Sequence, residues 1–220
     1  KLSYFFKLPT TQDLFFNVAK GIIDLKQLKE FVNSEKIAET KHEYIDGEVF
    51  AMAGASASHN RISLNVATLF NVHLDGKPCQ PYMSDMKIKV STKYFYPDVL
   101  VDCSGLADDS HVTEKPTLIV EVLSKSTRRM DETTKRIAYT QIDSLLEYVL
   151  IEQDFVDIEI IRRRTGWQSE RFYLGDSLTF ESIALTLTVE DIYARVNNPE
   201  LVEWRQLQAE ANSESKLINP

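Results

Sequence analysis

Two carboxylates stand where carboxylates are costly. Asp98 follows Pro97 and leads into Val99-Leu100-Val101, and Glu121 sits between Val120 and Val122 in TLIVEVL, the most apolar run of the chain. An ionised side chain inside a covered strand is expensive to desolvate unless it is paired or coordinates a cation. A buried arginine partner or a solvated strand end would account for either acid alone. Two such acids on neighbouring strands point instead to a shared hard cation, because Mg²⁺ takes oxygen ligands and keeps part of its water shell. Beyond Glu121, the residues Ser126, Thr127, Arg128 and Arg129 precede a helical pattern. Hydroxyls and free backbone N–H groups at a helix start favour anions, and two adjacent arginines favour phosphate.

These groups need a scaffold, and the hydrophobic periodicity supplies one. The first forty residues read as two helices, one from Thr11 to Ala19 and one capped by Asp24 that carries Leu25, Leu28, Phe31 and Val32. YIDGEVFAMAG reads as two strands joined by Asp46-Gly47. A helix over 58–74 has Ile62, Val66, Leu69 and Phe70 as its inner stripe. Strands are expected at 79–83, 86–91, 94–103 and 117–123, with a polar loop over 104–116. A helix over 131–141 then joins 117–123 to a strand at 147–152, an order that implies a parallel, right-handed crossover. FVDIEIIRRR, WQSERFY and LTFES read as a meander extending one sheet edge, and Thr188 with Asp191 makes a capping box. The polar tail from 207 is expected to fray. One domain over 1–206, with a helical region at about 10–42, is the simpler organisation.

Composition narrows the chemistry. A net charge of −8 argues against broad electrostatic adhesion to nucleic acid, so any such contact has to be local. Two cysteines, Cys79 and Cys103, make neither a disulfide framework nor a zinc cluster, and both are expected as buried free thiols in a reducing compartment. No apolar run is long enough to span a membrane, and the opening KLSYFFKL is too short for a secretory signal. A cytoplasmic location is the expectation.

Pro97-Asp98, followed by Glu121 in an apolar strand and then a helix, resembles the PD-(D/E)xK nuclease signature. More closely, the chain resembles the Uma-two family, a bacterial group described as restriction endonucleases. The stretches that carry the likeness are HEYIDGEVFAMAG, SHNRI, SDMKIKV, YPDVLV, PTLIVEVLSKSTRRMDETTKRIAY and LEYVLI. The resemblance implies an α/β (α+β) restriction-endonuclease-like core, a mixed central sheet flanked by helices with a C-terminal β-meander. It also implies hydrolysis of DNA phosphodiester bonds with Mg²⁺, or Mn²⁺ in its place, held by Asp98, Glu121 and Glu43. The superfamily lysine belongs two residues after the glutamate, where this chain has Leu123. Either the lysine has moved or catalysis has been lost. The resemblance points to Lys135 on the following helix, which shares a face with Asp131 and Tyr139; Tyr139 joins Ser126–Arg129 as a substrate-binding candidate. A homodimer would suit cleavage of duplexes. The rival reading is a catalytically silent binding or scaffold protein that kept the fold. His59, at a helix start, reads first as a capping or surface residue, and Arg162-Arg163-Arg164 as a charged strand end.

Overall fold

The computed structural model describes residues 26–52 and 54–218. In chain order its elements begin with α1 (26–35), β1 (His42–Ile45), β2 (Glu48–Ala51), α2 (Ala57–His73), β3 (Gln80–Met83), β4 (Lys87–Val90), β5 (Lys93–Phe95), β6 (Val99–Asp102), β7 (Val112–Thr113) and β8 (Pro116–Leu123). A π-type turn (Met130–Lys135) runs into α3 (Arg136–Tyr139). Then follow β9 (Glu147–Glu152), β10 (Ile158–Arg162), β11 (Gln168–Phe172), β12 (Ser177–Phe180), β13 (Leu185–Thr188), α4 (Val189–Ile192) and α5 (Pro199–Ile218). Where the sequence suggests one domain to 206, the described residues pack as two compact units: 26–52 with Ser91–Tyr94, and the remainder.

In the smaller unit, β1 and β2 form the expected hairpin. Ile45 pairs with Glu48 across a two-residue turn in which Asp46 and Gly47 both have positive φ, 51° and 95°. That geometry suits a residue that tolerates left-handed backbone followed by glycine, and it matches the twist of the strands. Phe31 of α1 packs on Tyr44 and Tyr94, with ring centroids 5.1 and 5.9 Å apart. The helix expected over Thr11–Ala19 lies outside the described residues.

The larger unit is built on a six-stranded sheet in the order β11-β10-β9-β8-β6-β3. It is mixed: β8 and β9 run parallel, and every other neighbouring pair is antiparallel. Alternate residues of a strand face opposite sides. Val99, Val101, Leu118, Val120, Val122, Val149 and Ile151 therefore bury one face with Ile62, Val66 and Phe70 of α2. On the other face, Glu121 meets Lys135 and Tyr139 of the β8–β9 crossover. The helix α2 starts at Ser56, whose hydroxyl accepts from the His59 N–H at 3.1 Å. A mixed sheet with a helical layer on each face is the expected architecture.

Four details depart from the sequence reading. The strand expected over 94–103 is divided into β5 and β6 around Pro97, which has no N–H to give to a ladder. LTFES does not extend the sheet edge; β12 pairs with β13 in a separate two-stranded sheet, and Leu178, Phe180 and Leu187 join the core there. The turn before β12 redirects the chain: Gly175 has φ 92°, and the Asp176 carboxylate accepts from Tyr173 N–H. Cys79 and Cys103 are not free thiols but form a disulfide. The register Gln80↔Asp102 between β3 and β6 places the residues just before and just after that pair opposite one another. Finally, the tail continues as helix to Ile218 instead of fraying from 207. Asn198 caps that helix by accepting from Leu201 N–H, and Pro199 occupies a first-turn position where no N–H is needed. Thr188 and Asp191 form the capping box expected of them. Among the described residues no helix is long and apolar enough to cross a membrane.

Candidate functional site

Asp98 and Glu121 lie on adjoining segments. In the β6–β8 ladder Val99 pairs with Val120, and Asp98 immediately precedes the one as Glu121 follows the other. The Asp98 carboxylate turns in toward β8 and accepts the Val122 N–H at 2.7 Å. This bond is possible because Asp98 stands at the strand entry, just after the proline interrupts the ladder. Its side chain is 19% exposed, whereas that of Glu121 is 3% exposed. One acid faces solvent in part and the other is enclosed.

Glu121 Oε1 gathers two donors from the crossover helix. Lys135 Nζ lies 3.1 Å away and the Tyr139 hydroxyl 3.0 Å away. Lys135 also lies 3.0 Å from Asp131 Oδ1. All four side chains are buried. The π-type turn sets this up: Arg136 N–H reaches back five residues to the Asp131 carbonyl, widening the helix where Asp131 and Lys135 enter the interior. Such turns occur disproportionately at functional sites. Tyr139 is clamped edge-on between Phe95 and Tyr148. Its side chain is fully buried, and its hydroxyl is directed at Glu121. Burial, helped by the charges of Glu121 and Asp131, raises the Tyr148 pKa well above its ordinary value. Tyr148 therefore stays protonated and donates to the Asp131 carbonyl at 3.0 Å.

His59, read from the sequence as a capping or surface residue, lies against Asp98. Its Nε2 is 3.3 Å from Asp98 Oδ2, and its Nδ1 is buried without a hydrogen-bond partner among the described residues. Burial pulls the imidazole pKa down, but the hydrogen bond and charge of Asp98 more than offset it, so the pKa stands above its ordinary value. The first turn of α2 thus delivers a side chain to Asp98 as well as a cap. Asp131 and Tyr148 are likewise missing from the sequence-level site. The i,i+4 spacing of Asp131 to Lys135 was the signal for the first; nothing local marks the second.

The segment after β8 holds itself together. Ser124 Oγ lies 3.0 Å from both Ser126 Oγ and Thr127 Oγ1, and Thr127 N–H donates to Ser124 Oγ at 3.2 Å. Ser126 and Arg129 are exposed. Arg128 is engaged elsewhere: it forms a two-pronged pair with the buried Glu152, and its guanidinium sits 5.7 Å from the Phe155 ring centroid. Arg162 is also internal, bonded to Glu147, Glu170 and the Thr179 carbonyl, so the arginine triplet is not a free basic strip. Glu43 lies on β1 of the smaller unit, buried and paired across the hairpin with Phe50.

The donor set suits a hard divalent cation. Asp98 offers a partly solvated carboxylate at the register position opposite the enclosed Glu121, and Mg²⁺ binds through one or two carboxylates while keeping water. Among the described residues no group of three or more His, Cys, Asp and Glu side chains is placed to hold a metal ion. A cation here would rest on Asp98, Glu121, water and substrate oxygens.

Comparison with known proteins bears on the family and the fold. A family model, Uma2, described as "Putative restriction endonuclease", matches residues 28–190. Two proteins of Synechocystis sp. (strain ATCC 27184 / PCC 6803 / Kazusa) are similar. "Uncharacterized protein slr1290" is 35% identical over 170 residues, 75% of this chain and 90% of its own. "Uncharacterized protein sll1609" is 38% identical over 129 residues, 56% of this chain and 73% of its own. Among solved structures, "a putative nuclease belonging to DUF820 from Anabaena variabilis ATCC 29413" superposes with a TM-score of 0.62 at 18% identity. That match covers 73% of this chain and 93% of the other, and at such identity it is a likeness of fold.

Proposed function

The chain belongs to the Uma2 family, described as "Putative restriction endonuclease", and from that premise we propose that it is a metal-dependent nuclease of the PD-(D/E)xK type acting on DNA. One observation carries the proposal: a buried lysine ammonium, supplied by the crossover helix, lies 3.1 Å from the strand glutamate although the strand itself has Leu123 at the usual lysine position. In this reading the functional lysine has moved from the strand to the crossover helix.

Asp98 and Glu121 would hold Mg²⁺, or Mn²⁺ in its place. The bound ion would lower the pKa of a water molecule and offset charge growing on the phosphate. The chain's own residues do the rest. Tyr139 and Lys135 together fix the Glu121 rotamer through its Oε1. Lys135 keeps a desolvated positive charge at the reacting phosphate, where a preset donor is worth about 3 kcal/mol. Ser126, Thr127 and the exposed Arg129 offer hydroxyls and a cation to a flanking phosphate, while Arg128, anchored on Glu152, stiffens the segment that presents them. With a net charge of −8, DNA is met at this local patch, and a second copy would address the other strand of a duplex.

The rival, a binding or scaffold protein that kept the fold, is favoured by Leu123, buried where the superfamily has its lysine. Incubating single- and double-stranded DNA with the protein and Mg²⁺ or Mn²⁺ separates the two. Metal-dependent cleavage lost in Asp98→Ala supports the nuclease. Metal and DNA binding without cleavage supports the rival.

A further inference from the structure

Asp131 sits at the meeting point of three restraints. Its backbone carbonyl receives both the Arg136 N–H, across the π-type turn, and the Tyr148 hydroxyl at 3.0 Å. Its carboxylate lies 3.0 Å from Lys135 Nζ. Asp131 is 1% exposed and Lys135 4%, so this is no surface i,i+4 pair of the kind that adds a few tenths of a kcal/mol to an isolated helix. Burying two carboxylates and one ammonium together is costly, and apolar side chains of the same size would serve the core as well or better. The arrangement fits a demand for position.

We infer that Asp131 is a positioning residue that holds the Lys135 ammonium at Glu121, with Tyr148 and the widened turn fixing Asp131 in its place. Glu121 alone is a poor anchor for the lysine. In the nuclease reading, on which the catalytic part of this inference rests, a cation competes with Lys135 for that carboxylate. Asp131 is a second counter-charge outside the cation's reach of duty, so the ammonium stays in place when Glu121 turns to the metal. Asp131 itself touches neither substrate nor ion.

The test follows the lysine directly. In protein labelled with ¹⁵Nζ-lysine, a buried, ion-paired ammonium exchanges its protons slowly and gives a resolved signal, which Lys135→Arg identifies by its loss. That signal is expected to disappear or shift in Asp131→Asn and to return in Asp131→Glu. A wild type without the signal, or an Asp131→Asn protein in which it is unchanged, overturns the inference whatever the cleavage assay gives. In cleavage, Asp131→Asn is expected to lower kcat about 100-fold, the scale of a small misplacement of a catalytic group, with KM little changed. It should add nothing further in a Lys135→Ala background. Wild-type kcat in Asp131→Asn, or a full additional loss in the double variant, contradicts it. If the signal behaves as stated while the wild type cuts no DNA with either metal, the nuclease reading fails and the hold of Asp131 on Lys135 stands.

Discussion

Lys135 Nζ is 3.1 Å from Glu121 Oε1, and neither side chain reaches solvent appreciably. Leu123, two residues after Glu121 on the same face of β8, is apolar, and the positive charge beside Glu121 arrives from the crossover. Removing that charge strands two buried acids. Lys135→Ala is therefore expected to lose about 3–5 kcal/mol of stability by urea denaturation, the cost of breaking a buried ion pair by deleting one partner. Lys125→Ala, exposed on the loop just after β8, should stay within about 0.5 kcal/mol of wild type. Equal stabilities for the two variants would mean that the pairing of Lys135 with Glu121 does not form in solution.

The carboxylate pair makes its own prediction. A cation that binds the native state alone stabilises it by mass action, about 2.7 kcal/mol at 100 times its Kd. Millimolar Mn²⁺ should raise the Tm above its value in EDTA, and Asp98→Asn should abolish the rise. Melting curves that coincide with and without Mn²⁺ would remove the metal from the mechanism.

Much of this site was legible in the sequence because its members are locally improbable. Asp98 and Glu121 interrupt apolar strands, and Lys135 falls on one helix face with Asp131 and Tyr139. The hairpin at Asp46-Gly47, helix α2, strand β9 and the Thr188–Asp191 box follow from short-range rules of turn, period and cap, and the structure has each of them. What stayed hidden depends on register. Nothing near Cys79 or Cys103 says that β3 and β6 will align them, and nothing in LTFES says that its partner is β13 and not the sheet edge. Tyr148 looks like any apolar-strand aromatic until the π-type turn brings the Asp131 carbonyl to its hydroxyl. Arg128 promised phosphate on composition alone; Glu152, the residue that engages it, arrives from another strand.

The Cys79–Cys103 bridge ties the edge strand β3 to β6, at the far end of β6 from Asp98, across a sequence separation of 24. Closing a loop of that size constrains the unfolded chain by about 3 kcal/mol. Reduction by dithiothreitol followed by alkylation should lower the unfolding free energy by that amount, and Cys79→Ser with Cys103→Ser should match it. A double variant as stable as the oxidised protein would count against a bridge in solution.

Arg128 and Glu152 give a pH-dependent prediction. Burial raises the Glu152 pKa above its ordinary 4.5, and the adjacent Arg128 charge lowers it only in part. A carboxyl with a raised folded pKa contributes stability that is complete below its unfolded pKa and is lost as pH rises through the folded one. Above that window Glu152 is ionised in the fold and needs Arg128; below it Glu152 is neutral and does not. Arg128→Met should therefore cost about 1.5–3 kcal/mol at about pH 8, the range for a hydrogen bond to a charged group, and clearly less at about pH 4. Urea unfolding of both proteins at the two pH values measures the difference. The same variant separates anchoring from phosphate contact: if Arg128 only stiffens the segment, its effect on DNA affinity should shrink when Glu152→Gln is added. A penalty that is the same at both pH values would show that the two-pronged pair does not persist in solution, and Arg128 would then be available to the substrate.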